Sequence, residues 1–199
     1  MSDIKFSDYS DQEEIIRTVG DAELLYKAGK KIMRYKKSTY GKEKEISNYN
    51  IIKDLMKGKV LNVGLGMGQS ADVILAQKAV KELISQEIEP DIANLYKEEK
   101  GDNHKIQVVD AHKGKPKEKF DVILYELFIN DQKTHDEAMT YITHAKDNML
   151  KDEGIILLRY DRYANLLAMN MEESFDASII SRPNPKQPLP LFLKLTKKQ

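Results

Sequence analysis

The chain has no cysteine and no tryptophan among its 199 residues. The first absence removes disulfides, thiolate metal sites and cysteine nucleophiles together. Net charge is missing as well, because Lys plus Arg total 32 and Asp plus Glu total 32. A neutral chain has no overall field to hold nucleic acid or anionic lipid, so only a local patch could do it. No apolar run approaches the roughly 20 residues that a membrane helix needs, and no membrane partner is expected. The opening MSDIKFSDYSDQEE is acidic and polar, unlike a secretory signal, so the expected location is the cytoplasm. Hydrophobic residues at 41% still suffice for a core, and the length suits one α/β domain.

What is present begins with a polarised first third. Residues 1–26 carry seven acidic and two basic side chains, whereas residues 27–44 carry eight basic and one acidic. Gln12 to Val19 has helical apolar spacing with Gly20 as a stop. Residues 22–35 suit either a short hairpin or a kinked helix. Asn48 to Lys57 reads as a helix ended by Gly58. From residue 59 the pattern becomes regular, with strands expected at 60–63, 82–86, 105–109, 120–125 and 154–159. Helices are expected after the glycine turn and at 90–99, 134–150 and 163–173. A closing strand pair, 177–181 and 191–195, has no helix between its members and should be antiparallel. Strands alternating with helices imply a mainly parallel sheet. The division expected is an N-terminal cap or extension, residues 1–58, and a ligand-binding domain, residues 59–199.

Val60-Leu61-Asn62-Val63 runs into Gly64-Leu65-Gly66-Met67-Gly68 and then into a helix. Strand, glycines and helix in that order bring a ligand against free backbone N–H groups, where a β-carbon would obstruct it. The dinucleotide fingerprint needs glycine where Gln69 stands, which disfavours a nicotinamide or flavin. Glu87, at the end of the second strand and about 20 residues onward, can accept both hydroxyl hydrogens of a ribose. A tight turn beside a solvated surface glutamate would look the same locally.

The turn resembles the first motif of class I S-adenosylmethionine-dependent methyltransferases, and Ile84–Asp91 is similar to their second. The likeness continues in order through Val108–Ala111, Phe120–Glu126 and Met149–Leu157. It implies a Rossmann-like α/β fold with a mostly parallel seven-stranded sheet and an antiparallel last strand. It also implies S-adenosylmethionine, or its decarboxylated form, as the cofactor. By this resemblance Gly64, Leu65, Gly66, Met67 and Gly68 face the methionine part, Glu87 and Ile88 the ribose, and Asp110 and Ala111 the adenine. Within the superfamily the chain resembles guanidinoacetate and arginine N-methyltransferases in Gly64-Leu65-Gly66-Met67, Leu124-Tyr125-Glu126 and Ile32-Met33-Arg34-Tyr35-Lys36. It departs from them in carrying Glu126 for aspartate and Lys36 for an acid. In part it also resembles spermidine synthases, through Glu87–Asp91. Those enzymes put a second acid where Ile129 stands, with Asp131 a poor substitute, and an N-terminal β-domain for which this chain has little room.

Glu126 closes the most apolar strand, where open α/β sheets bind ligands. A carboxylate there would hold a cationic amine and orient its lone pair, which is most of what an in-line methyl transfer requires. Glu126 is therefore the catalytic candidate, acting on a nitrogen of a cationic small molecule or side chain; the alternatives are aminopropyl transfer and a non-catalytic binding protein that keeps the cofactor fold. A solvated or helix-capping glutamate is the plainer alternative. The segment 27–44 mixes cations with Tyr35 and Tyr40, which would serve a nucleic-acid surface, a solvated face, or a lid over the cofactor. In the lid reading Met33, Tyr35, Tyr40 and Tyr125 border the substrate. Neither His104, His112, His135 nor His144 has metal-ligand spacing, so no metal is expected. Leu166, Leu167, Met169 and Met171 read as core.

Overall fold

The computed structural model describes residues 13–27, 30–36, 38–40, 48–66, 68–97, 101–127, 129–159, 163–182 and 189–198. Its centre is a seven-stranded sheet built from β5 (Gly58–Val63), β6 (Val80–Glu87), β7 (His104–Val108), β8 (Phe120–Tyr125), β9 (Leu150–Arg159), β10 (Phe175–Arg182) and β11 (Leu189–Lys197). The strand order is β10-β11-β9-β8-β5-β6-β7. All neighbours from β9 to β7 pair in parallel, and β11 alone runs against the rest, paired antiparallel with both β9 and β10. The expected architecture and its antiparallel last strand are therefore both present.

The strands are apolar on both faces because both faces are covered. Val60, Leu83, Val122, Leu124 and Leu157 point into one core, and Leu61, Ile84, Ile123, Tyr125, Ile156 and Leu158 into the other. Among the described residues, the helices that follow β5 are α1 (Gln69–Leu75), α2 (Pro90–Lys97), α3 (Gln132–His144) and α4 (Ala164–Asn170). Proline opens α2, where its missing N–H costs nothing. Asp131 and Thr134 close a reciprocal capping box on α3. That helix continues as a π turn over Ala145–Met149, so the long helix expected at 134–150 is present over 132–149 and changes pitch near its end.

The N-terminal region is the main departure from expectation. It forms a second sheet, an antiparallel meander of β1 (Glu13–Val19), β2 (Ala22–Lys27), β3 (Lys30–Tyr35) and β4 (Ser38–Tyr40). Of the segment 12–19 expected as a helix, Glu13–Val19 is β1, paired with β2; its run Ile-Ile-Arg-Thr-Val is rich in β-branched residues. Residues 22–35 resolve as the hairpin. The chain thus does have room for an N-terminal sheet, because a meander of short strands needs few residues. Ala22, Leu24, Met33 and Tyr35 pack from it into the same core as Ile92, Leu95 and Tyr96 of α2. In the segment expected as a helix at 48–57, Asn48 and Tyr49 are helical, a turn follows and Lys53–Leu55 form a 3-10 turn; of the apolar positions Ile51, Ile52, Leu55 and Met56, Ile52 and Met56 are buried and the other two are half-buried. In α4 only half the stripe is core, since Leu167 and Met171 are buried while Leu166 and Met169 are exposed.

Candidate active site

Five parallel strands end on one side of the sheet, and a cavity of about 330 Å³ lies over those ends. It runs from Val109, Asp110 and Ala111 after β7, past Glu87 and Ile88 after β6, to Gly64–Gly66 after β5. It then continues to Glu126 and Leu127 after β8 and Arg159 at the end of β9. At roughly 4.8 Å between strands this spans about 19 Å, enough for a nucleoside with an extended tail.

The turn between β5 and α1 is anchored from below. Asn62, fully buried, donates from Nδ2 to Ser70 Oγ at 3.0 Å and ties the strand end to the helix start. Gly66 has φ +49°, and a β-carbon there would meet nothing within 4 Å, so it would stand in the open cavity. Gly68, at φ +71°, starts α1 and has a different constraint: its β-carbon would come to 3.1 Å from Tyr96 Cε1.

Glu87 is 8% exposed. Its Oε2 accepts from the Gly66 N–H and its Oε1 from the Glu89 N–H, both at 3.1 Å. A carboxylate has about four acceptor positions, which leaves two for ligand hydroxyls. Beside it Ile88, Val109 and Ala111 make an apolar slot. Asp110 Oδ1 accepts from the His112 N–H at 3.0 Å, and Lys113 lies 3.1 Å from Oδ2. Lys113, with help from the His112 N–H, holds the Asp110 carboxyl below its ordinary pKa. His112 lines the cavity and stacks edgewise on Tyr125 and Tyr141, whose rings are 5.2 Å apart. Burial pushes both phenols well above the ordinary tyrosine range, so they stay protonated.

Glu126 lines the cavity beside the glycine turn, and its N–H donates to Val63 O at 2.9 Å, extending the strand pairing into the site. Tyr125 pairs with Leu158, which brings Arg159 level with Glu126. Among the described residues Arg159 is the one permanent cation lining the cavity.

Of the residues singled out by sequence, Gly64, Leu65, Gly66, Glu87, Ile88, Asp110, Ala111 and Glu126 come together around this cavity. Gly68 does not line it and instead packs on Tyr96. Met67 and the side chain of Tyr40 lie outside the described residues. Met33 is core, Tyr35 is buried with its hydroxyl on Glu89, and Tyr125 supports His112 from beneath. None of these three lines the cavity; Met33 and Tyr35 belong to the N-terminal sheet, whose described strands pack against α2 and the Glu87 loop. Tyr49, Gln69, Gln86, His112 and Arg159 line the cavity but were not among the sequence candidates. Arg159 carried a signal, being charged at the end of an apolar strand, and His112 another, since its loop follows the expected adenine edge at Asp110 and Ala111. Among the described residues no cluster suits a metal ion, and no helix is long and apolar enough to cross a membrane.

The geometry fits an adenosyl amino acid: a carboxylate for ribose hydroxyls, an apolar slot for a base, and a turn whose β-carbon is missing where the tail would pass. No curated protein sequence matches the chain. In fold it is similar to the N-methyltransferase NodS from Bradyrhizobium japonicum, solved with S-adenosylhomocysteine. The TM-score is 0.60 at 13% identity, over 79% of this chain and 88% of that one. An rRNA methylase from Streptococcus thermophilus gives TM-score 0.56 at 11% identity, over 77% and 95%. Spermidine synthase from Thermotoga maritima gives 0.61 at 14% identity, over 94% and 73%. The family model for guanidinoacetate N-methyltransferase matches residues 20–174, most of the chain. With the sheet order and the cavity above, that match makes this chain a member of the guanidinoacetate N-methyltransferase family, whose methyl donor is S-adenosylmethionine.

Proposed function

We propose that this protein transfers a methyl group to a nitrogen of a cationic small molecule, with Glu126 as the residue that holds the acceptor. The observation that carries the reading is the Glu126 carboxylate, set in the same cavity as Glu87 and next to the glycine turn. S-adenosylmethionine bound there would supply an electrophilic methyl group. Glu87 would hold the ribose, Gly64, Leu65 and Gly66 would face the tail, and Ile88, Asp110 and Ala111 would border the base. Glu126 would accept hydrogen bonds from the acceptor's N–H groups and take up the proton that the reacting nitrogen must lose, leaving its lone pair free for the methyl group. It also offsets the charge of an amine or guanidine as that group leaves water. We further propose that residues 1–58 act as an extension to a cofactor-binding domain of residues 59–199, working in the cytoplasm.

Nucleic acid is the less favoured acceptor. Among the described cations of segment 27–44, Lys27 and Arg34 pair with Glu13 and Glu23, and Lys36 lies 4.0 Å from Glu89. The charge of Lys27 and Arg34 is thus answered within the N-terminal sheet, and that of Lys36 by the loop after β6.

Aminopropyl transfer from decarboxylated S-adenosylmethionine has one observation in its favour. The spermidine synthase fold covers a larger share of this chain than the methyltransferase folds do, and the excess matches the length of the N-terminal sheet. Three observations weigh against it. Ile129 is buried, and the Asp131 side chain is taken up in capping α3. Arg159 also favours a donor that keeps its carboxylate over one whose tail bears only an ammonium.

The deciding experiment is Glu126→Gln, assayed for S-adenosylhomocysteine release with amines, guanidines, phenols and carboxylates as acceptors. Cofactor affinity should stay near the wild-type value while turnover on the preferred amine or guanidine drops tenfold or more, as for a lost charged contact of about 1.4 kcal/mol. Full turnover by the variant, or a preference for phenols or carboxylates, overturns the proposal.

A further inference from the structure

The loop that carries Glu87 is held from behind by two separate contacts with the N-terminal sheet. The Tyr35 hydroxyl, at the end of β3, donates to Glu89 Oε2 at 2.6 Å. Tyr35 is itself packed in the core shared by the meander and α2, so its ring cannot follow a moving carboxylate. Lys36 reinforces the contact, with Nζ 4.0 Å from the same oxygen and 4.6 Å above the Tyr35 ring. The second contact lies two residues along the loop. Asp91 Oδ2 accepts from the Asp21 N–H at 3.0 Å, in the turn between β1 and β2. That turn approaches so closely that a β-carbon on Gly20 would collide with the Asp91 carboxylate. The Lys36 N–H in turn donates to Asp21 O at 3.2 Å, joining the two anchors. Between them stands Pro90, whose ring restricts the backbone.

A continuous relay leads from these anchors to the cavity. Tyr35 holds the Glu89 side chain, the Glu89 N–H donates to Glu87 Oε1, and Glu87 Oε2 accepts from Gly66 in the glycine turn. The Tyr35 phenol is the donor throughout, since the neighbouring Glu89 carboxylate raises its pKa further above neutrality.

We propose that Tyr35 and Glu89 are positioning residues, through which the N-terminal sheet presets the Glu87 carboxylate for the cofactor's ribose. This rests on the reading of Glu87 given above. The sheet then contributes to cofactor affinity without touching the cofactor. The physical reason is preorganisation: a carboxylate already aimed loses less freedom when its ligand arrives. Cutting the phenol from Glu89 releases the 87–89 segment and shows up as weaker binding.

The test is a double-mutant cycle read by calorimetry with S-adenosylhomocysteine, using wild type, Tyr35→Phe, Glu87→Gln and the double variant. Tyr35→Phe keeps the ring in the core and removes only the hydroxyl. It should weaken binding by about fivefold to tenfold, the range for one hydrogen bond to a charged group acting indirectly, with the urea midpoint close to wild type. It should raise the cofactor KM and leave kcat near its wild-type value. Glu89→Ala should reproduce the loss. In the Glu87→Gln background Tyr35→Phe should have no further effect. If Glu87→Gln binds normally, the ribose reading and this proposal fall together. If Glu87→Gln weakens binding but Tyr35→Phe is silent, or costs the same in both backgrounds, the positioning role alone is overturned.

Discussion

Two glycines of one turn should respond in opposite ways to the same added methyl group. Both Gly66 and Gly68 hold left-handed backbone, at φ +49° and +71°. A β-carbon in that region costs about 1–2 kcal/mol at either site. At Gly66 nothing further is added, because the new carbon meets no atom within 4 Å. At Gly68 it would sit 3.1 Å from Cε1 and 3.3 Å from Cδ1 of Tyr96, a fully buried ring that cannot swing aside. Overpacking of this kind adds about 1–3 kcal/mol. Gly68→Ala should therefore destabilise by about 2–5 kcal/mol and Gly66→Ala by about 1–2 kcal/mol. For a chain of this size each kcal/mol lowers Tm by roughly 2–4 °C, so scanning calorimetry should separate the variants by several degrees. Ligand binding should rank them the other way. The Gly66→Ala methyl would stand in the cavity and weaken S-adenosylhomocysteine at least tenfold, about 1.4 kcal/mol. Folded Gly68→Ala should bind nearly as well as wild type. Wild-type affinity in Gly66→Ala, or equal melting of the two, would refute the assignment of the turn.

Two further predictions concern charge. Asp121 accepts from the Lys59 N–H and from Lys151 Nζ, each at 2.7 Å. Burial alone would raise its carboxyl pKa, but these two partners outweigh burial and hold it below its ordinary value. Its contribution to stability should thus be fully present above the unfolded-state pKa, near 4, and vanish as pH falls through the lower folded value. Asp121→Asn should cost about 1 kcal/mol at pH 7 in urea unfolding and progressively less below about pH 4; a gap that widens on acidification contradicts this. At the other end of the sheet, Arg159→Met should narrow any preference for S-adenosylhomocysteine over its decarboxylated analogue by tenfold or more, the value of one charge-assisted hydrogen bond. An unchanged preference in competition calorimetry would place Arg159 away from the donor's carboxylate.

Local chemistry was enough to make the central sheet legible. Val60–Val63, Phe120–Tyr125 and Ile155–Leu158 are apolar on both faces, with only Asn62 and Asp121 polar among them, because both faces are covered, and that pattern survives in any context. The glycine turn and Glu87 were readable for a related reason. Positive φ and a missing β-carbon are properties of single residues, and a carboxylate at a strand end in a parallel sheet has a defined place. The order of these signals along the chain carried the rest of the architecture.

What the sequence left undecided depended on partners distant in the chain. The run Glu13–Val19 alternates weakly enough to suit a helix, and only pairing with Ala22–Lys27 makes it a strand. Tyr35 carries the same aromatic ring whether it closes over a cavity or reaches behind it. Its choice was made by Glu89, 54 residues away, and by the burial of the meander against Tyr96. His112 and Arg159 joined the site only when parallel pairing aligned five strand ends. The residues thus determined which segments are strands of a buried sheet and where the glycine turn lies. Tertiary structure alone decided which polar side chains share the cavity, because that is a matter of register and packing between segments, and no local pattern encodes it.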